Sequence, residues 1–151
     1  MRNRENEGDL MKIDQLVSGK KVETISPSAS IQDLVNFLHA HQIGALVVST
    51  DGRKIEGIVS ERDVVRAMPG KLNQLLEMHV RDIMTVEVIT CRNDAKVADL
   101  MEIMTEQRIR HIPVVDADGN AISIVSIGDV VKAHINELDS ERKALREYVN
   151  S

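Results

Sequence analysis

The sequence predicts an α+β fold made of two like units, each running strand, helix, strand, strand, helix, with a long helix closing the chain. Three observations predict it. The run "GIVSERDVV" at 57–65 returns sixty-six residues later as "SIVSIGDVV" at 123–131, with Ser-x-x-Asp at the same place in both. The helix-spaced set Ile31, Leu34, Val35 and Leu38 returns at that offset as Val97, Leu100, Met101 and Met104. Each of those helices is followed by two β-rich runs that meet at an Asp-Gly pair, Asp51-Gly52 and Asp118-Gly119, the chemistry of a hairpin turn.

Taken in order, residues 1–10 are polar and are expected to be disordered. The first unit spans 11–69. It opens with "LMKIDQLV", a short leading helix, and the strand-like "KVETI". Ser28 stands just upstream of the first helical stripe and Asp94 upstream of the second, where capping residues belong. The strand pairs are "GALVV" with "IEGIVS" and "HIPVV" with "AISIVS". Pro113 lacks an N–H for a sheet ladder, so it is expected to open its strand or to lie on an edge. A helix follows each Ser-x-x-Asp, the first stopping near Pro69-Gly70. Residues 70–79 form a linker, and "VRDIMT" announces the second unit at 80–135. The extension 136–151 continues the last helix. Ile127, Val131, Ile135, Leu138, Leu145 and Val149 lie on roughly one stripe of it, which implies self-association or packing back on the same chain.

Bulk properties narrow the function. A unit of roughly 60 residues buries too little surface to be comfortable alone, so two units sharing a core is the natural arrangement. The net charge is −5, and Phe37 and Tyr148 are the only aromatic residues apart from histidine. Neither a basic face nor a stacking platform for nucleic acid is implied. No apolar run reaches the roughly 18 residues of a membrane span. The first residues lack the apolar core of a secretory signal, and Cys91 is the single cysteine, so a cytoplasmic protein is expected.

The paired Ser-x-x-Asp motif carries the chemistry. Ser60 with Asp63, and Ser126 with Asp129, fit a helix cap in which the hydroxyl takes an orphan amide and the acid favours the dipole. Both copies also follow a strand with no intervening loop. That aims free helix amides at the end of the sheet, where an anion is welcome. A carboxylate beside such an end suits the vicinal diol of a ribose. Hydroxyl, helix start and acid together fit a ribose phosphate, with aliphatic side chains such as Ala45, Val47, Ile112 and Val114 flanking a base.

The stretches "IGALVV", "GIVSERD", "VRDIMT", "IRHIPVVD" and "SIVSIGD", in that order over about 11–135, resemble a tandem pair of CBS domains, also called a Bateman module. The resemblance is to free-standing pairs, with no room for a catalytic domain. It implies two β-α-β-β-α units packed about a pseudo-twofold axis, and two clefts that take adenosine-containing ligands: AMP, ADP, ATP, NAD(H) or S-adenosylmethionine. The first copy of the family motif is complete; in the second, Ser123 stands where glycine is usual.

Carried over by position, Asp63 and Asp129 would hold ribose hydroxyls and Ser60 and Ser126 would sit near phosphate. Gly44, Ala45, Arg110, His111, Ile112 and Pro113 would line the clefts, and Thr24, Ile25, Val88 and Ile89 would contact the base. Arg62 faces Gly128 in the alignment of the halves, so the two sites should differ in phosphate preference, with Arg62 and Arg110 as the cationic candidates.

The resulting expectation is a non-catalytic energy-sensing module. It would bind an adenine nucleotide and no metal, form a homodimer, and act on a separate protein target. A structural adaptor with vestigial clefts is the alternative. An enzyme is a third possibility, but no phosphate loop, His-Asp metal cluster or activated nucleophile is written in the chain. His111 lacks a nucleophile partner, and Cys91 beside Arg92 is either a thiol of lowered pKa or an ordinary one.

Overall fold

Each unit is built on an eleven-residue helix that begins at a polar corner and ends on a left-handed residue. The computed structural model describes residues 12–17 and 21–151; the disorder expected at 1–10 lies outside them. The first unit holds α1 (Asp14–Val17), β1 (Thr24–Ile25), α2 (Ile31–His41), β2 (Ala45–Val48), β3 (Gly57–Ser60) and α3 (Glu61–Ala67). After a 3-10 turn at Leu75–Glu77 come α4 (Val80–Ile83), β4 (Cys91–Arg92), α5 (Val97–Gln107), β5 (His111–Val115), β6 (Ala121–Ser126) and α6 (Ile127–Asn150). The architecture is the expected one: two three-stranded sheets, ordered β1-β2-β3 and β4-β5-β6, and a long last helix.

The caps differ from expectation by two residues. Ser30, not Ser28, opens α2, its hydroxyl accepting from the Asp33 amide at 3.0 Å. Ser28 instead bonds Ser26 in the preceding turn. Lys96, not Asp94, precedes α5, and it contributes no side-chain cap. The helices stop on Gln42 and Arg108, at φ 51° and 54°, which occupy the same place in the two repeats. The core face is also narrower than the spacing implies. Ile31, Leu34 and Leu38 are buried, as are Val97, Leu100 and Met104, but Val35 is 38% exposed, on an outer groove beside Val65.

In each sheet a parallel pair is followed by an antiparallel hairpin. Thr24 lies opposite Val47 and Cys91 opposite Val114; Leu46 lies opposite Val59 and Ile112 opposite Val125. The middle strand is buried along its length in the first sheet, as a strand covered on both faces must be. Pro113 is neither at the start of β5 nor on an edge strand. The Arg110 carbonyl accepts from the Ile127 amide across the hairpin, so the alternation of antiparallel bonding turns the Pro113 nitrogen away from β6, toward β4. Val47 occupies that place in the first unit and pairs with Thr24; in the second, pairing begins one position later, at Cys91 with Val114. The proline is accommodated because the short partner strand starts one position later, in unchanged register.

The two units exchange their leading segments. Ile13, from the leading segment of the first unit, is fully buried in the core of the second, among Val97, Leu100, Met104, Ile112 and Val130. The Ile13 and Asp14 amides bond the Ala95 and Asn93 carbonyls. Val80, which opens "VRDIMT", is buried in the core of the first unit with Ile31, Leu34, Leu46 and Val59. Its amide bonds the Ala29 carbonyl at 2.8 Å, and that of Arg81 bonds Pro27. The hairpins meet as well. Lys54 bridges Asn120, its own image in the repeat, at turns where Gly52 and Gly119 take φ 78° and 81°.

Gly57 is the residue in whose place the second copy carries Ser123. A Cβ there would lie 2.7 Å from Met84 Sδ and 2.8 Å from the Thr85 carbonyl, because Ile58 and Thr85 exchange backbone bonds across that point. The crossing chain leaves no room for a side chain at Gly57. Replacing Gly57 with Ala should therefore destabilise the fold by about 1–3 kcal/mol, readable as a lower urea midpoint with unchanged slope.

Candidate functional site

Each strand β3 and β6 runs without a loop into a helix, and the junction is tied by its own side chains. At the first, the Ser60 amide and hydroxyl donate to Asp63 Oδ2 at 2.8 and 3.1 Å. At the second, those of Ser126 donate to Asp129 Oδ2 at 3.1 and 2.9 Å, and Ser126 Oγ accepts from the Asp129 amide. The capping arrangement is thus present in both copies. Both serine bonds fall on one carboxylate oxygen, so at Asp63 the cap engages Oδ2 alone.

Each junction also lines a cleft whose far wall belongs to the other unit. The first cleft sets Ser60, Arg62 and Asp63 against Val88, Ile89, Arg110 and His111. The second sets Ser126 and Asp129 against Gly44 and Ala45. The walls are images of one another: Ile109 and Arg110 answer to Ile43 and Gly44, and Ile89 to Glu23. His111 lines both clefts, its imidazole resting where a side chain on Gly44 would come within 3.3 Å of it.

Four of the expected residues lie elsewhere, and one is only adjacent. Thr24 and Ile25 are spent in β1, Ile25 packing on the first core. Ile112 is fully buried in the second core, and Pro113 is buried in β5. Gly128 is exposed in the first turn of α6 and lines neither cleft. In place of Thr24 and Ile25, Lys21 and Glu23 line the second cleft. The repeat offset could have found them, since Val88 and Ile89 fall on Val22 and Glu23, not on Thr24 and Ile25. Arg66 and Arg108 were also missed. They join Arg62 and Arg110, so all four arginines serve one cleft, facing the acids Glu61, Asp63 and Glu87. Among the described residues, the second cleft sets Lys21 against Glu23 and Asp129.

Size follows charge. The second cleft holds about 480 Å³, ample for a small ligand. The first holds about 120 Å³, and the four arginines among its lining residues are exposed. Among the described residues no group of three or more His, Cys, Asp and Glu side chains could hold a metal ion.

Burial holds the His111 pKa below its ordinary value, Arg110 adding to the effect while Glu61 and Asp129 oppose it. Cys91 is the ordinary thiol of the two alternatives: burial pushes it up to about 11, so at pH 8 it should react with a thiol reagent far more slowly than free cysteine. For His111, the unfolded chain takes up a proton near pH 6.5 that the folded chain refuses. Stability should therefore fall as pH drops through that value toward the depressed folded one. His111→Asn should flatten that limb of a stability profile measured by urea titration at successive pH.

Comparison with known proteins agrees with this geometry. The CBS domain matches twice, over residues 13–70 and 80–136. A mitochondrial CBS domain-containing protein of Arabidopsis thaliana is 40% identical over 124 residues; the match takes in 80% of this chain and 60% of that protein. A crystal structure of a CBS-domain protein from Agrobacterium tumefaciens superposes with a TM-score of 0.77 at 42% identity, over 82% of this chain and 99% of that one. A CBS domain protein from Pyrobaculum aerophilum, 25% identical with a TM-score of 0.70 over 79% of this chain and 89% of its own, was crystallised with AMP. With its duplicated sheets, exchanged leading segments and paired clefts, the chain belongs to the CBS-domain family, as a tandem pair.

Proposed function

We propose that this CBS pair is a regulatory module that binds adenosine-containing nucleotides in its two clefts and answers by altering its dimer or partner contacts. The observation that carries the reading is the placement of an aspartate, held by a serine at a strand-to-helix junction, in each of two clefts walled by the opposite unit. A carboxylate so held accepts from a ribose diol. The presence of AMP in the Pyrobaculum relative supports an adenosine ligand here.

The clefts are read as unequal. Four arginines and His111 make the first the site for the phosphates of AMP, ADP, ATP or NAD(H). The second, whose described charged residues are Lys21, Glu23 and Asp129, suits an adenosine ligand of lower negative charge. The reading is not catalytic, and a cytoplasmic setting accords with a single half-buried thiol and a nucleotide pool to sense. No helix among the described residues is long and apolar enough to cross a membrane.

A structural adaptor is the second reading, favoured by one observation: the aspartates already have work as caps. The two separate cleanly by mutation. Asp63→Asn keeps a side-chain oxygen for the cap but loses the charge. It should weaken nucleotide binding about tenfold or more, since a charged hydrogen bond is worth about 1.5–3 kcal/mol. Titration calorimetry with AMP, ATP, NADH and S-adenosylmethionine, alongside mass spectrometry of nucleotides released from fresh protein, measures this. No released nucleotide, and no heat with any of the four, leaves only the adaptor.

A further inference from the structure

We infer that the outer half of α6 is one strand of a parallel, in-register, two-stranded coiled coil formed with a second copy of this chain. The helix is anchored by one face and bare on another. Val130 and Ala133 are buried in the second core. Val131, Ile135, Leu138, Leu145 and Val149 are 40, 52, 51, 64 and 72% exposed. Those five fall on the alternating four-and-three spacing of a coiled-coil seam, with Arg142 filling the place between Leu138 and Leu145. The match to the CBS domain ends at residue 136, so most of this seam is an addition to the repeat.

The charges beside the seam select the occupant and its direction. In a parallel pair, Glu141 lies opposite Arg146 of the second copy, and the contact occurs twice by symmetry. In the antiparallel register that matches the whole stripe, Asp139 meets Asp139, Glu141 meets Glu141, and Lys132 meets Arg146. Each contact between charged flanking residues is then between like charges, so the antiparallel pair is disfavoured. Arg142 in the seam costs stability but, like other polar residues at such a position, fixes register and holds the assembly to two strands, with Glu141 of the second copy beside it.

Sedimentation of the full chain tests this without nucleotide, so its outcome is separate from that of ligand binding. A dimer is expected. Leu138→Asp with Leu145→Asp should render it monomeric while leaving the nucleotide-binding heat intact. Arg146→Glu should raise the dimer dissociation constant about tenfold, and adding Glu141→Arg should restore it. In a Cys91→Ser background, Leu145→Cys should oxidise to a cross-linked dimer through identical positions. A monomeric wild-type chain, a dimer indifferent to the two leucine changes, a trimer or tetramer, or preferred cross-linking of Leu145→Cys to Ile135→Cys would each overturn the assignment.

Discussion

Neither unit finishes its own core. Ile13 enters the second and Val80 the first, each from the leading segment of the other unit. A three-stranded sheet with two helices leaves one apolar face short of cover, and a domain near 60 residues has little reserve to tolerate that. Exchange supplies the missing side chains and binds the halves by backbone bonds as well as apolar contact. Everything functional follows from that coupling. The clefts exist only because the strand-to-helix junction of one unit is held against the strand corner of the other.

On the proposed reading the junctions serve two ends with one set of atoms. The Asp63 cap engages a single carboxylate oxygen, so the capping role and the proposed ligand-binding role need not compete. Chemical difference between the clefts comes from positions that the junctions leave free. At 44 and 110 the repeat reads glycine and arginine, and at 42 and 108 glutamine and arginine. Duplication fixed the geometry, and substitution at its rim separated the charge.

Periodicity made the architecture legible. Helix stripes and the doubled motif recur at one offset and the turn glycines one residue beyond it, and local chemistry agrees with global topology at each such point. What escaped was decided by neighbours distant in sequence. Ser28 and Ser30 are equally good caps on paper; the Met78 carbonyl, bonding the Ile31 amide, marks where the helix begins. Thr24 and Ile25, carried over by resemblance as base contacts, form the short strand itself, and it is Lys21 and Glu23 just before it that meet the cleft. Pro113 lies mid-strand because its neighbour could start later, a freedom no single-segment rule contains. Val35 obeys the helical period yet faces an outer groove, since period gives the direction of a stripe and not its width. The gathering of four arginines on one side required knowing how the halves face each other.

One rigid element begins at the second cleft and ends far from it. Asp129 sits in the first turn of α6, whose 24 residues span about 36 Å. A tilt of only about 5° at its root would sweep the distal tip through about 3 Å, the helix acting as a lever whose fulcrum is the Val130–Ala133 contact with the core. Displacements too small to notice around a bound sugar become, at the remote end, large enough to make or break side-chain packing.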